Sequence, residues 1–283
     1  MRPIISLLIA VLLAAALTAC GQEKPTPAEA VPAPDPAPIE QVREDPFSAY
    51  FDLSGLTPET LEQARQVIDQ ESVQDGITVH VSQTLGDGRS LYVAFTVTSS
   101  DAIDPAEPLT VRLVKGGDPT QTEELPGRIN SGINGTLTGE STMSYLAEFE
   151  FQDPCLTGQA VSLLVEGPSM KSIHTFTWTV ENEGFFVQAD LVDQAGHTVG
   201  SAALSPFLLT LELPAWNEKP QEEWTAFEES LHLLDADGKE LHSSQHLMGL
   251  QVGDGARFAQ FYAPIAPDTA ATIQAEGYTG TFQ

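Results

Sequence analysis

Gly76-Ile77-Thr78-Val79-His80-Val81-Ser82, then Gly86-Asp87-Gly88, then Leu91-Tyr92-Val93-Ala94-Phe95-Thr96-Val97-Thr98 is the stretch on which the fold turns. Ile77, Val79 and Val81 alternate with Thr78, His80 and Ser82, and Leu91, Val93, Phe95 and Val97 alternate with Tyr92, Ala94, Thr96 and Thr98. A period of two puts one apolar set on one face of a pleated strand. Two such runs around a glycine-bearing turn predict a β-hairpin.

Runs of the same kind follow at 109–115, 144–151, 160–166 and 173–180, separated by Gly, Pro, Asp or Asn. Short strands with frequent turns predict an antiparallel sandwich over 72–183. Glu181-Asn182-Glu183-Gly184 reads as a joint. Beyond it, 185–192, 197–203, 207–213, 230–234, 240–247, 257–262 and 270–275 predict a second sandwich over 184–283. No alternation of strand and helix appears, which disfavours a parallel sheet. Leu191-Val192-Asp193-Gln194-Ala195-Gly196-His197 and Leu233-Leu234-Asp235-Ala236-Asp237-Gly238-Lys239 resemble one another as hairpin turns with a left-handed glycine.

Upstream, Phe47, Tyr50, Phe51 and Leu53 introduce apolar mass, and Thr57-Pro58-Glu59 carries an N-cap, a proline at the first helical position and an acid in the first turn. Leu61, Ala64 and Ile68 share one helical face, so 46–71 is expected to hold a short amphipathic helix reaching about Asp69. The predicted fold class is therefore mainly β: two antiparallel immunoglobulin-like β-sandwich domains preceded by a short helix and a disordered Pro-rich linker.

That linker, 20–45, has prolines at 25, 27, 32, 34, 36 and 38 among Ala, Glu and Gln. It cannot bury enough apolar surface to fold, and in polyproline II it would extend roughly 75 Å. Before it, Arg2 and the apolar run 4–19 form a leader shorter than the roughly 20 residues a spanning helix needs. Leu17-Thr18-Ala19-Cys20 resembles a bacterial lipobox, which implies removal of 1–19 and lipidation of Cys20. Two or three acyl chains hold a protein stably on a bilayer. The expected place is extracytoplasmic, anchored to the cell membrane and exposed at the cell surface, with Cys20 as the membrane contact.

The chain has 283 residues, 40 acidic against 12 basic, for a net charge of −28. Such a surface is repelled by phosphate, so nucleic acid is not an expected partner. With Cys20 lipidated, Cys155 would be the only thiol left and no intramolecular disulfide could form. Asp153 beside it disfavours the thiolate that a reactive role requires.

Gly76-Ile77-Thr78-Val79, Leu85-Gly86-Asp87-Gly88, Leu91-Tyr92-Val93-Ala94-Phe95 and, far downstream, Phe176-Thr177-Trp178 resemble a Gram-positive extracytoplasmic domain of unknown function, often the outer part of anti-sigma-factor-like membrane proteins. Leu204-Ser205-Pro206-Phe207, Asp237-Gly238-Lys239 and Phe261-Tyr262-Ala263-Pro264-Ile265 look like the immunoglobulin-like domain that commonly follows it. The resemblance covers about 72–283 and implies fold; it brings no catalytic residues. The chain departs from the usual family layout in lacking a cytoplasmic regulatory domain and a spanning helix, so direct control of a sigma factor is not implied.

Candidate chemistry is sparse. His242 and His246 have the i, i+4 spacing that joins two ligands on a helix, but on a strand they stand about 13 Å apart. Asp235-Ala236-Asp237-Gly238-Lys239-Glu240 begins like a calcium loop yet lacks the ligand before the glycine and the distal glutamate. Glu222-Glu223 and Glu228-Glu229 are adjacent acids, which point apart on a strand. There is no nucleophile elbow and no phosphate-binding glycine loop. No cofactor is expected. The segment 214–224 carries Trp216 and Trp224 between two strands, and these are the candidate contacts for a ligand or partner, since loop tryptophans stack on sugars and anchor proteins. The function these readings favour is a non-catalytic binding or envelope-sensing module for an unknown protein or cell-wall ligand. A metal-dependent envelope hydrolase and a purely structural spacer stand as alternatives.

Overall fold

The hairpin at 77–98 forms as its period predicts, in a computed structural model that describes residues 45–101, 103–106, 108–116, 125, 127–151, 156–183, 185–216, 219–243, 247–252, 256–261 and 263–283. The leader, Cys20, the linker up to residue 44, Cys155 and His246 lie outside the described residues. The chain is mainly β, with every paired strand antiparallel.

A helix α1 (Pro58–Ala64) is followed by β1 (Arg65–Gln74), β2 (Ile77–Gly86), β3 (Ser90–Ser99), β4 (Thr110–Lys115), β5 (Arg128–Gly139), β6 (Thr142–Phe151), β7 (Ala160–Glu166) and β8 (His174–Thr179). Strands β1-β2-β3-β6-β5 make one sheet and β4-β7-β8 a second. Ile77, Val79, Val81, Leu91, Val93, Phe95 and Val97 face Leu163, Val165, Phe176 and Trp178 in the core between them.

Thr57 caps α1 as expected, its Oγ1 accepting the Thr60 N–H at 3.1 Å, with Pro58 opening the helix. The helix nevertheless stops at Ala64, where the next residue is extended. The expected continuation to Asp69 is instead strand β1, because Asp75 and Gly76 both take positive φ and close a two-residue turn onto β2, pairing Gln74 with Ile77. Tertiary pairing thus overrides the helical stripe Leu61, Ala64 and Ile68, in a segment whose Val67, Ile68 and Val73 are all β-branched. Asp45, expected in the linker, accepts the Phe47 N–H at 3.0 Å and pairs with Arg65.

β5 has no counterpart among the predicted strands. Its glycines hide it from any apolar pattern, and one has a packing reason: a Cβ on Gly135 would lie 2.6 Å from Cε1 of Tyr145, whose ring stacks on Phe95 at 5.2 Å.

The second half contains β9 (Val187–Asp193), β10 (Thr198–Leu204), β11 (Leu208–Glu212), helix α2 (Gln221–Glu229), β12 (His232–Leu234), β13 (Glu240–Ser243), β14 (Leu247–Val252), β15 (Ala256–Phe261), β16 (Thr272–Ala275) and β17 (Tyr278–Thr281). These strands form one ladder in the order β13-β12-β16-β17-β9-β10-β11-β15-β14. The β17–β9 join is only two residue pairs long, Tyr278 with Asp193 and Thr279 with Val192. Both leaves of the ladder line one core: Leu191, Leu204, Leu209 and Leu211 from one, Leu233 and Ile273 from the other.

The joint expected at 181–184 separates these two cores, yet Glu44–Gln283 forms one compact unit. A third core explains this. Phe47, Phe51, Leu56 and Ala64 cover the outer face of β3 and β6, burying Tyr92, Ala94 and Leu146, and Phe207 enters from the second half. β3 is therefore buried on both faces, so Tyr92 and Ala94, on the face that alternates with the apolar set, are covered rather than solvated.

Candidate functional site

The β2–β3 turn and the β10–β11 turn meet at the joint. Asp87 Oδ1 accepts the N–H groups of Arg89 at 3.0 Å and Ser90 at 2.7 Å, which folds the turn around the carboxylate. Asp87 Oδ2 accepts the Ser205 hydroxyl, and Ser205 Oγ in turn accepts the Leu208 N–H at 3.0 Å. Burial pushes the Asp87 carboxyl above its usual range, while the hydrogen bonds from Ser205, Ser90 and Arg89 pull the other way. Arg89 donates from its guanidinium to Thr210 Oγ1 at 2.6 Å and lies over the Phe186 ring at 5.6 Å. Beside these polar links, Phe51, Tyr92 and Phe207 pack edge to face, with centroids 4.8 to 5.9 Å apart. Gly86-Asp87-Gly88 and Leu204-Ser205-Pro206-Phe207 are thus the two sides of one contact.

Next to the joint opens a cleft of about 350 Å³, lined chiefly by Arg89, Gln188, Asp190, Ser201, Thr210 and Glu212. It follows from strand alternation. Ala189, Leu191, Ala202, Leu204 and Leu211 turn into the core, so the intervening residues of β9, β10 and β11 turn outward. Ser201 pairs with Asp190 on one side and Glu212 on the other, giving a row of acid, hydroxyl and acid. Ala203 pairs with Gln188 and Thr210, giving a second row that ends under Arg89. Small Ser201 and Ala203 leave the floor low, and the walls converge charged and amide groups from both halves. A concave site of this size at an interface between two cores is where small ligands bind in proteins generally.

The structure places the sequence-predicted tryptophans elsewhere. The segment 221–229 is helix α2 rather than loop, and it drives Trp224 and Phe227 into the second core. Trp224 is 2% exposed and so cannot contact a ligand or partner. Trp216 is half-buried; it packs against Trp224 at 5.0 Å and Phe227 at 4.9 Å, and donates its indole N–H to Tyr278 Oη at 3.0 Å. Lys219 lies over the Trp216 ring at 5.6 Å and pairs with Glu223 at 2.5 Å. The rest of Trp216 borders an open surface hollow with Tyr278, Asp193, Glu223 and Glu276.

The Asp235 turn is a hairpin. Asp235 Oδ1 accepts the N–H groups of Asp237 and Lys239 at 2.9 and 2.8 Å, and Gly238 has a φ of 76°. Asp193 does the same for Ala195 and His197, with Gly196 at a φ of 82°. Both aspartates commit Oδ1 to their own turns. His242 falls on β13 and its candidate partner His246 lies outside the described residues. Among the described residues no group of three or more His, Cys, Asp or Glu is arranged to hold a metal.

Asp190, Ser201 and Glu212 carry no mark in the sequence. Each is an outward polar residue on a strand, and only the register of β9, β10 and β11 brings them into one row. No protein-family model matches the chain, and no curated protein matches it. Among solved structures, a conserved domain protein from Bacillus anthracis is similar at a TM-score of 0.46 and 13% identity, over 77% of this chain and 78% of that one. A chain named BspA_C_WT aligns over 77% of this chain and 87% of its own, at 12% identity and a TM-score of 0.13.

Proposed function

We propose that this protein is a non-catalytic binding module of the cell envelope, anchored outside the membrane through lipidated Cys20, carried on the Pro-rich linker, and recognising its ligand in the cleft at the joint. The observation that carries the binding role is the cleft itself, in which Arg89 from the first half and Asp190, Ser201 and Glu212 from the second converge on one hollow of about 350 Å³. The anchor rests on Arg2, the apolar run 4–19 and Leu17-Thr18-Ala19-Cys20. Among the described residues no helix is long and apolar enough to cross a membrane. The resemblance to the outer domain of anti-sigma-factor-like proteins supports the same side of the membrane. The ligand belongs to the envelope because the anchor confines the module there, and a charge of −28 turns it away from nucleic acid.

Two substitutions test this reading. Cys20→Ala moves the protein from the membrane fraction to the soluble one, and adding Ala203→Trp, which fills the cleft floor, to that soluble Cys20→Ala chain abolishes its retention on membrane-free cell-wall material. Membrane retention of the Cys20→Ala chain would refute the anchor. Unchanged cell-wall retention by the doubly substituted chain would refute the cleft.

A further inference from the structure

We infer that the cleft takes a small zwitterion, with an ammonium group above Ser201 between Asp190 and Glu212 and an anionic group directed to Arg89. The inference rests on the proposed binding role of the cleft and adds the chemistry of its ligand.

The two rows of the cleft differ in charge. The row Asp190, Ser201, Glu212 has a carboxylate at each end and a hydroxyl at its centre. Two strand spacings separate the outer members, about 9.6 Å, so a cation above Ser201 sits about 5 Å from each flanking strand, within reach of both carboxylates. The Ser201 hydroxyl lies beneath it as an acceptor. One row along, Gln188, Ala203 and Thr210 carry no charge of their own, and the Arg89 guanidinium is fixed there by its 2.6 Å bond to Thr210.

The spacing selects a size. The rows lie two residues apart along each strand, about 6.8 Å, so a complementary ligand separates its opposite charges by roughly 7 Å. A free α-amino acid is too short for that, and the ends of an extended dipeptide match it. Gln188 and Gln283 at the rim offer side-chain amides to a peptide group between the two charges. A bare divalent cation would meet two carboxylates and the Ser201 hydroxyl, a set short of the six or more oxygens that calcium or magnesium takes. A simple anion would meet two carboxylates with one arginine.

Calorimetric titration of the full chain in detergent with alanyl-alanine tests this. Saturable binding is expected. N-acetylation of the dipeptide, amidation of its carboxylate, and the double change Asp190→Asn with Glu212→Gln should each weaken it tenfold or more, about the effect of losing one charged hydrogen bond. These two substitutions are near-isosteric at exposed strand positions, so folding is retained. Equal binding of the acetylated or amidated dipeptide, or undiminished binding by the double variant, would overturn the inference. Absence of dipeptide binding, with cell-wall retention of the Cys20→Ala chain still sensitive to Ala203→Trp, would overturn the zwitterion and leave the cleft standing. Absence of both would remove the binding role as well.

Discussion

Asp87 and Ser205 stand 118 residues apart in the chain and share a hydrogen bond inside the joint, where they are 1% and 3% exposed. The Ser205 hydroxyl serves Asp87 Oδ2, while the turn's own N–H groups serve Oδ1. Removing that hydroxyl leaves a buried carboxylate oxygen short of a donor. Ser205→Ala is therefore expected to cost about 1 to 3 kcal/mol in urea unfolding. A change within error would show that the joint does not depend on this contact.

The joint also sets a pH dependence. Burial raises the Asp87 carboxyl above its usual 3.8, so the folded protein holds this proton more tightly than the unfolded chain does. The stability it contributes is full below about pH 3.8 and is lost as pH rises through the raised folded value. Asp87→Asn cannot titrate. Its unfolding free energy relative to the parent should improve as pH rises from about 3.8 and level off above the raised folded value, and a difference that stays flat or moves the other way would contradict the assignment.

His174 behaves oppositely. Burial lowers its pKa from 6.5, against a backbone hydrogen bond at Ser72 and the charge of Asp75, while ring Nδ1 also lies 3.0 Å from Ser72 Oγ. The folded state favours the neutral ring, so this contribution is present above about pH 6.5 and is lost as pH falls through the lowered folded value. Urea midpoints of the parent should drop between pH 7 and pH 5 by more than those of His174→Gln. Parallel curves for the two proteins would reject the prediction.

The sandwich of the first half is closed along one side by glutamines. Gln66, Gln70 and Gln74 of β1 donate from their amides to the carbonyls of Thr179, Thr177 and Ile173, along and beside the free edge of β8, at 2.8 to 3.4 Å. An edge strand needs such cover. Changing all three to Ala should cost about 1 to 3 kcal/mol, the bonds being solvent-exposed, and should raise light scattering on heating. Scattering equal to the parent would show that β8 does not need the cover.

Trp224 and Trp216 separate burial from exposure. Trp224→Ala empties the second core and should cost about 3 to 5 kcal/mol, whereas Trp216→Ala, at a half-buried position, should cost less and leave cell-wall retention of the Cys20→Ala chain intact. Loss of retention in the Trp216→Ala protein at unchanged stability would return the recognition site to that residue.

Much of the fold could be read from period and punctuation. β2, β3 and β8 alternate apolar and polar residues between turn formers, β6 and β7 are apolar runs between such turns, and the left-handed glycines 196 and 238 mark the two hairpins. β5 was hidden because glycine at 132, 135 and 139 removes the apolar signal, even though Gly135 is glycine in order to admit Tyr145. β1 and α2 were misread for opposite reasons. A helical stripe ran on into residues that pair with β2, and a proline and two leading acids opened a helix in a stretch that looked like a loop. The cleft was illegible because it depends on strand register. Asp190, Ser201 and Glu212 become neighbours only when β9, β10 and β11 align, and Asp87 with Ser205 only when two turns from different cores meet.

Hydrogen–deuterium exchange of the full chain, with and without soluble envelope fragments, tests the binding site most directly. Ligand-induced protection is expected in the peptides spanning 187–193, 198–204 and 208–212, together with the 86–90 turn. Protection confined to the surroundings of Trp216 and Tyr278, or no protection in any of these strands, would contradict a cleft at the joint.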